Sequence, residues 1–325
     1  MIAPVPLDRY VREVLPLTFD LWSGGRDAAT YARDLRQVAA SAYLRRQSRF
    51  TVGLTEGGDL VTTCKRYERE LRWGTRTLAS VGIGAVFTPV SQRGRGHASR
   101  FFDELLAQER AAGHDVAFLF SDIDPGFYAR LGFVALPSRL ITLRAASLAP
   151  ATVESGPIGT RDRAAIRRCF EGNDAMRAWS LVRTPVVWDW IAMKWGAEER
   201  PARTGERPVR LLIRRRREAL AYIVGRRSAA HDAFVLDDFA YAGEEGRAAV
   251  PGLLRTAAGD LTRVSGWLPP AIARDALPRG TVRARTGGAV LMVAPLSPLG
   301  RSWLAKTAVA SPRAACDPVW TADHI

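Results

Sequence analysis

Residues 79–106 read ASVGIGAVFTPVSQRGRGHASRFFDELL, and this stretch decides the fold. Its first part is rich in β-branched and small residues and predicts a strand, in which Gly82 and Gly84 indicate a bulge or the close approach of another segment. Its last part places large apolar residues at helical spacing and predicts a helix that ends near Gly113. A turn of glycine and arginine joins the two, made of Arg93, Gly94, Arg95, Gly96, His97 and Ala98.

Such a turn is typical of an anion-binding site. The small residues let the backbone turn tightly, so that the N–H groups at the start of the following helix point outward, where the helix dipole favours negative charge. The arginines add positive charge around a bound pyrophosphate. A turn whose arginines are simply solvated is the alternative interpretation of the same six residues.

An aromatic pattern follows some 30 residues later and reads Phe127-Tyr128-Ala129-Arg130-Leu131-Gly132-Phe133. It comes after an apolar strand predicted over residues 116–120 and includes a short helix predicted over residues 124–131. Together with the elements before the turn and two strands predicted over residues 132–144, the order of the first part is α-α-β-β-β-α-β-α-β-β. This order indicates an α/β (α+β) fold.

The length of 325 residues suggests two domains. A loop rich in alanine, proline and glycine over residues 146–159 leads into a second unit with a similar order of elements, which ends in a strand over residues 289–294. The second half is therefore predicted to be a diverged copy of the first. The predicted domains are 1–148 and 149–297, followed by a C-terminal tail over 298–325.

Composition excludes several classes of protein. The apolar fraction of 47% and the charged fraction of 25% are globular, and no apolar run is long enough to span a membrane. The N-terminus lacks the features of a secretory signal, and Cys64, Cys169 and Cys316 form neither a disulfide framework nor a metal site. These features predict a cytoplasmic protein with no metal and no membrane partner.

The formal net charge of +14 favours a polyanionic partner. Because only three of the 47 basic residues are lysine, the arginine excess also fits a GC-rich genome. A basic nucleic-acid-binding protein is one alternative, but no helix-turn-helix or RNA-binding signature is present, which argues against nucleic acid.

With both motifs in view, the chain resembles the GNAT acetyltransferase superfamily over roughly residues 30–140. In that family a (Q/R)-x-x-G-x-(G/A) motif follows a bulged strand, and a Y-x-x-L-G-F motif comes later. The first motif is carried here by Arg93, Gly96 and Ala98, and the second by Tyr128, Leu131, Gly132 and Phe133. The resemblance implies a GNAT fold, in which a mixed central sheet with splayed strands is flanked by helices.

The resemblance also implies roles for particular residues. Acetyl-CoA would be the co-substrate, with its phosphates held by residues 93–98 and its pantetheine arm by backbone groups of Ala85, Val86 and Phe87. Tyr128 matches the tyrosine that protonates the departing thiolate, and a phenol with a pKa near 10 remains protonated at neutral pH. An aromatic core residue is the structural alternative for Tyr128.

The sequence assigns no general base. Asp122, Asp124, Glu68 and Glu70 are candidates, but Asp124 is also placed to cap the helix that follows it. His97, within the turn, is expected to be a neighbour of the phosphates rather than a base.

Two GNAT-like units in one chain further resemble the enhanced intracellular survival family of acetyltransferases. That resemblance implies a degenerate second unit, and in this chain Glu244 and Glu245 stand where a phosphate turn would be and would repel pyrophosphate. It also implies that the C-terminal carboxylate, here that of Ile325, enters the active site as a candidate base, whereas a tail packed on the surface is the alternative. The third domain of that family has no counterpart in this chain.

Short stretches over residues 86–89 and 118–123 also resemble fungal lysine acetyltransferases, which keeps a free amino acid among the acceptors. The sequence thus predicts an N-acetyltransferase in which a primary amine attacks acetyl-CoA directly in a ternary complex. A non-catalytic acyl-CoA-binding regulator is the alternative. The acceptor stays open among small-molecule amines, peptide amines and protein lysines, and the oligomeric state stays open as well.

Overall fold

The computed structural model describes residues 1–47, 49–198, 206–216, 218–269, 271–285, 288–309 and 319–325. The helices in these ranges are α1 (Leu7–Glu13), α2 (Leu15–Trp22), α3 (Ala28–Ala39), α4 (Ala42–Arg45), α5 (His97–Ala111), α6 (Pro125–Ala129), α7 (Arg163–Ala175), α8 (Pro185–Glu198), α9 (Gly243–Ala258), α10 (Ala271–Arg274) and α11 (Pro298–Leu304).

The strands are β1 (Ile2–Pro4), β2 (Thr51–Glu56), β3 (Asp59–Trp73), β4 (Arg76–Phe87), β5 (Val116–Ser121), β6 (Val134–Ala135), β7 (Arg139–Arg144), β8 (Gly156–Pro157), β9 (Trp179–Leu181), β10 (Glu206–Arg215), β11 (Glu218–Ser228), β12 (Ala233–Tyr241), β13 (Arg263–Trp267), β14 (Thr281–Ala284) and β15 (Val290–Pro295).

The strands form two mixed sheets. The first sheet has the order β1-β2-β3-β4-β5-β15-β6, with β9 added to the edge of β3, and the second has the order β14-β7-β13-β12-β11-β10-β8. Each sheet has a parallel pair near its centre, β4 with β5 and β12 with β13. A helix connects each pair, α5 in the first sheet and α9 in the second, so the two units repeat one another as the order of elements predicts.

The two sheets exchange strands, and here the sequence-based assignment of strands is wrong. β7, predicted for the first unit, pairs with β13 and β14 of the second sheet, and β15, predicted as the last strand of the second unit, pairs with β5 of the first sheet. Both strands are short and largely apolar, so they fit either sheet. A boundary at residue 148 therefore does not separate the two sheets.

The two faces of the first sheet are covered differently. On the back face, α5 and α6 pack through an apolar cluster that includes Phe101, Phe102, Leu105 and Tyr128. On the front face, α1 to α3 cover one end through Tyr10, Val14 and other apolar residues. The rest of the front face is covered by another segment, because Gly82 and Gly84 of β4 carry no side chains that could cover it.

The predicted tail is partly ordered structure. Residues 298–304 form α11, and residues 319–325 pack between the two sheets, with Val319 and Trp320 buried. Residues 310–318, including Cys316, lie outside the described residues. Within the described ranges, no helix combines the length and the apolar composition that crossing a bilayer requires.

Candidate active site

The central strands β4 and β5 separate toward one end. They pair only where Ser80, Val81 and Gly82 meet Val116, Ala117 and Phe118. Beyond these pairs each strand continues, to Phe87 and to Ser121, without pairing to the other. The result is a V-shaped gap whose two edges carry unpaired backbone groups that can bond a ligand lying between them.

A bulge in β4 opens this gap. The pairing of β3 with β4 shifts by one residue between Thr63 and Lys65, and Ala85 takes a positive φ of 49°. A non-glycine residue in this region is strained, so the bulge is held by the surrounding sheet. The bulge turns the backbone of Ala85, Val86 and Phe87 away from the regular ladder, at the place where the sequence analysis puts the contacts to the pantetheine arm.

The turn over residues 93–98 follows directly after this strand. Gly94 and Gly96 have φ values of 75° and 78°, and no other atom lies within 4 Å of where a Cβ of either would be. Gly96 caps α5 without any side-chain bond to the free N–H groups of the helix start. Arg93, Gly94, Arg95 and Gly96 are all exposed. This open, positive helix start has the geometry and charge that a pyrophosphate needs.

The two arginines of the turn differ in their roles. Arg93 donates through Nε to the carbonyl oxygen of Thr88, at 3.1 Å, and so helps to fix the turn. Arg95 makes only a long contact of 3.4 Å to the side chain of Gln92 and keeps its charge in solvent.

His97 is the first residue of α5, and its imidazole faces away from the turn. The side chain is buried, and its Nδ1 lies 3.4 Å from a carboxylate oxygen of Glu56, which also pairs with Arg100 at 2.5 Å. An anion at the helix start would therefore meet the main-chain N–H of His97, with that of Ala98 beside it.

Tyr128 lies on α6 within an aromatic cluster. Its ring centroid is 5.5 Å from that of Phe102 and 5.0 Å from that of Phe127, and the residue is 7% exposed. Burial raises the pKa of Tyr128 to about 12, and nearby Cys64 and Asp122 add to the effect. The hydroxyl is therefore protonated at every physiological pH. The ring is thus a core residue, as in the structural alternative, and the phenol keeps the proton that the general-acid role would need.

The candidate carboxylates differ in position. Asp124 accepts from the N–H of Gly126 at 3.0 Å and caps α6, as the sequence analysis favours. Glu68 and Glu70 are exposed and alternate along β3 with the residues of the front face, so they point to the opposite face. Asp122 accepts from the N–H of Ala289 at 2.7 Å, beside the open end of β5.

The last residue of the chain, Ile325, lies on the front face of the first sheet, over the glycines of β4. A Cβ on Gly82 would be 2.4 Å from Cδ1 of Ile325, and a Cβ on Gly84 would be 3.3 Å from its main-chain carbon and oxygen. The glycines are therefore needed for this close approach, which the sequence indicated without identifying the segment. Of the two alternatives for the tail, this placement favours the one in which Ile325 reaches the cleft.

Buried ion pairs hold this segment in place. Asp323 bonds Arg69 of β3 at 3.1 Å and Arg183 at 2.8 Å, and Arg183 in turn bonds Asp238 of β12 at 2.6 Å. All four side chains are at most 2% exposed. Although burial alone would raise the pKa of Asp323, the two arginines hold it well below its usual range. The network links both sheets through the C-terminal segment, and nothing in the sequence pattern identified it.

His324 lies between the two sheets. Its ring centroid is 4.8 Å from that of Phe120 on β5 and 5.8 Å from that of Trp267 on β13. The ammonium of Lys194 donates to the carbonyl oxygens of Ala322 and His324, at 2.9 and 2.7 Å. Burial lowers the pKa of His324 to about 4, with Lys194 contributing, so the imidazole is neutral near pH 7.

The corresponding place in the second sheet is closed. α9 begins directly after β12, and a Cβ on Gly246 would be 2.1 Å from the carbonyl oxygen of Leu220. Glu244 and Glu245 occupy the first turn of this helix and pair with Arg247 and Arg215. The tight packing and the two carboxylates leave neither the space nor the charge for a phosphate group.

Comparison with known proteins agrees with this architecture. A family model of the acetyltransferase (GNAT) domain matches residues 20–135. A GCN5-related N-acetyltransferase from Kribbella flavida is similar in fold, with a TM-score of 0.67 and 18% identity over 91% of this chain and 72% of that chain. Eis1 from Mycobacterium abscessus has a TM-score of 0.56 and 13% identity, over 91% of this chain and 73% of that chain. No curated protein matches the chain.

A structure of Saccharomyces cerevisiae N-myristoyltransferase with bound myristoyl-CoA is also similar, with a TM-score of 0.56 and 8% identity over 91% of this chain and 78% of that chain. At these identities the solved structures show the fold, and since each covers about nine-tenths of this chain, they show it for both sheets. The family model covers α3, the strands β2 to β5, the turn and Tyr128. The chain therefore carries an acetyltransferase (GNAT) domain over residues 20–135, and this domain makes it an acyltransferase.

Proposed function

We propose that the protein transfers an acetyl group from acetyl-CoA to a primary amine by direct attack in a ternary complex. The observation that carries this proposal is the gap between β4 and β5, which opens beside the positive start of α5 and beneath Ile325. Donor, acceptor amine and proton-transfer groups could thus meet at one place. The division into a catalytic unit with the donor site and a degenerate unit, predicted at residues 1–148 and 149–297, is part of the same proposal, with β7 and β15 exchanged between the two ranges.

The donor would lie along the gap. Residues 93–98 would hold its phosphates through main-chain N–H groups of α5 and the charge of Arg95, while the bulged backbone at Ala85, Val86 and Phe87 would bond the pantetheine arm. When bound, the thioester supplies the activated acetyl group. The exposed arginines, the two open glycines and the capless helix start are the features of this chain that fit it.

The proton transfers would use groups on the two faces of the first sheet. The amine loses a proton as it attacks, on the front face of the sheet where Ile325 lies over Gly84. Tyr128 approaches from the back face and gives its phenolic proton to the sulfur as the carbon–sulfur bond breaks. Because a pKa of about 12 makes Tyr128 a weak acid, the phenol would first donate a hydrogen bond to the developing thiolate and would give up its proton only as the carbon–sulfur bond breaks.

The two-sided arrangement also defines where the acceptor enters. Ile325 and His324 are held between the first and second sheets by the ion pairs of Asp323, so the amine would approach from the side of the second unit. Two buried free thiols, Cys64 and Cys169, and the use of acetyl-CoA are consistent with the cytoplasmic location that the sequence predicts.

The first test is calorimetric titration of the protein with acetyl-CoA, together with coenzyme A release over a panel of amines. We expect micromolar binding and release that depends on one class of amine. Binding without release in any amine or peptide mixture would instead support an acyl-CoA sensor. No binding at all would mean that residues 93–98 are a solvated turn and that the proposal is wrong.

A further inference from the structure

One cation on the front face of the first sheet takes no part in the proposed acetyl transfer. Lys65 lies on β3 directly across from Gly84 of β4. Tyr67, on the same face, brings its ring to 3.4 Å from where a Cβ of Gly84 would be, and Ile325 lies over the same glycine. Since cross-strand neighbours are about 5 Å apart, Lys65 stands one strand away from the place where the amine would react.

The ammonium of Lys65 has no counter-ion. It lies 5.5 Å from the ring centroid of Tyr10, and within the described part of the chain it makes neither an ion pair nor a hydrogen bond. Burial lowers the pKa of Lys65 to about 8, and the positive charge of Arg26 contributes. Part of its side-chain surface nevertheless remains accessible, so the group is enclosed in a cleft and not sealed in the core. Enclosed cations are normally paired, and an unpaired one calls for a partner from outside.

Two hydroxyl groups beside Lys65 are also unsatisfied. The phenol of Tyr10 and the hydroxyl of Thr63 have no hydrogen-bond partner, although each residue is only 2% exposed. Tyr10 contacts Lys65 through its ring, and Thr63 precedes Lys65 by two residues on the same face of β3. An ammonium and two hydroxyls all have protons to donate. Three such donors can form hydrogen bonds to the lone pairs of an anion.

A cavity of about 260 Å³ adjoins one of these groups, Thr63. It lies between α1, α2 and the β2–β3 hairpin, and it is lined by Val14, Leu17, Leu60, Thr63, Phe87 and Pro89, with Glu13 and Asp59 at its rim. Glu13 is paired with Arg9 at 2.9 Å and Arg12 at 3.1 Å, which neutralises its charge toward an incoming anion. The cavity therefore offers a small ligand apolar walls and the hydroxyl of Thr63, which lies two residues from Lys65 on the same face of β3.

We propose that Lys65, with the hydroxyls of Tyr10 and Thr63, binds a carboxylate of the acceptor, so that the acceptor is an amine that also carries a carboxylate. This inference rests on the proposed acetyl transfer and specifies its substrate class. Lys65 is a specificity-determining residue in this scheme and takes no part in the proton transfers. Free amino acids and peptides that end near the reacting amine belong to this class, whereas polyamines and aminoglycosides do not.

The first test measures binding and does not need turnover. The chain contains only three lysines, Lys65, Lys194 and Lys306, so protein labelled with carbon-13 at the lysine Cε gives three signals to follow in NMR titrations. We expect the pKa of Lys65 to rise on saturation with an ω-amino carboxylate, because a bound carboxylate favours the charged ammonium, and to stay unchanged with the alkylamine of the same length. Inorganic phosphate, tested alongside, shows whether any small anion has the same effect.

The second test measures specificity. L-lysine and cadaverine differ by one carboxylate, and we expect KM to be at least tenfold lower for L-lysine or for one member of the ω-amino carboxylate series than for its matched amine. Lys65→Met should raise KM for the carboxylate-bearing acceptor by about 10- to 100-fold, as expected for the loss of a charge-assisted hydrogen bond, and leave KM for acetyl-CoA unchanged. Lys65→Arg should restore part of the preference, and Lys306→Met, at an exposed site, serves as the control.

The outcomes separate this inference from the proposed function. If plain amines are acetylated as well as their carboxylate-bearing partners and the Lys65 signal never shifts, the inference is wrong and acetyl transfer stands. A shift with phosphate alone also overturns it. If no amine is acetylated, the proposed function fails, and the NMR titration still decides whether Lys65 binds carboxylates.

Discussion

The chemistry of single side chains is most directly tested at Tyr128. Tyr128→Phe removes the phenolic proton and keeps the ring that packs against Phe102 and Phe127. We expect kcat to fall by about 10- to 1,000-fold with little change in acetyl-CoA affinity, the range expected for a general acid. Steady-state kinetics and calorimetric titration of the donor measure the two effects.

Tyr43 provides a matched control for this substitution. It is buried, and its hydroxyl donates to the carbonyl oxygen of Glu68 at 2.7 Å, away from the gap between β4 and β5. Tyr43→Phe should reduce stability by about 1 kcal/mol and leave turnover intact. Equal turnover of Tyr128→Phe and the natural protein with every acceptor would exclude the acid role.

At the scale of residues, the sequence predicts those features that depend only on neighbouring residues in the chain. The cap at Asp124 and the close approach at Gly82 and Gly84 follow from local rules, and the structure agrees with both. The isolation of Lys65 and the pairing of Asp323 with Arg183 could not be predicted, because each depends on segments that are more than 50 residues away in the chain. The rarity of lysine, with only three in the chain, was the available signal for Lys65.

At the scale of elements, the proposed donor site lies at the start of α5. Arg93→Glu combined with Gly96→Glu places two carboxylates where the phosphates would lie and should abolish detectable binding of acetyl-CoA. Gly96→Glu also imposes a side chain on a residue whose φ is 78°, which lowers stability by about 1 kcal/mol. Calorimetric titration and urea unfolding report the two effects separately.

The other end of the same helix supplies the control. Gly113 has a φ of 88° and no atom within 4 Å of its Cβ position, so Gly113→Glu imposes the same strain and the same charge as Gly96→Glu. We expect it to lower stability by at least as much, because a carboxylate is unfavourable at the C-terminal end of a helix, and to leave the affinity for acetyl-CoA within about twofold. Tight binding by the double variant at residues 93 and 96 would mean that the phosphate site lies elsewhere.

Elements themselves were predictable from the sequence, but their partners were not. The turn between β4 and α5, the helix α6 and the strands around them follow from apolar periodicity and glycine positions. The exchange of β7 and β15 between the two sheets does not follow from the sequence. The residue pattern of a short strand indicates that it is a strand, but it does not indicate which strand it pairs with. The missing information is long-range, and it decides which residues cover the active site.

At the scale of the whole molecule, the exchanged strands make the two units mutually dependent. A fragment of residues 1–148 leaves the outer edge of β5 without β15 and leaves β7 without either of its neighbours. We expect this fragment to lack a cooperative thermal transition and to aggregate, since an uncovered apolar strand edge pairs with other chains. A fragment that melts cooperatively in circular dichroism would show that the first unit folds alone.

The C-terminal segment makes stability depend on pH. His324 has a pKa of about 4 in the folded protein and near 6.5 when unfolded, so the unfolded state takes up the proton first as the pH falls. Its contribution is therefore complete above pH 6.5 and is lost between about 6.5 and 4. Burial raises the pKa of Asp238 to about 6, which acts in the opposite direction over part of the same window.

His324→Gln separates the two effects, because Asp238 is present in both proteins. The stability advantage of the natural protein over the variant should shrink steadily as the pH is lowered from 6.5 to 4, measured by urea unfolding at each pH. A difference that stays constant across this window would mean that His324 titrates normally in the folded state.

The position of β15 also has a consequence for synthesis. Its partner β5 leaves the ribosome about 170 residues earlier, which at typical translation speeds is a delay of roughly 8–35 s. During that interval the nascent chain displays an incomplete sheet, and the front of the reaction centre is still missing because residues 319–325 are later still. Under the proposed function a growing chain is therefore catalytically silent, and it depends on protection from neighbouring polypeptides until the last strand arrives.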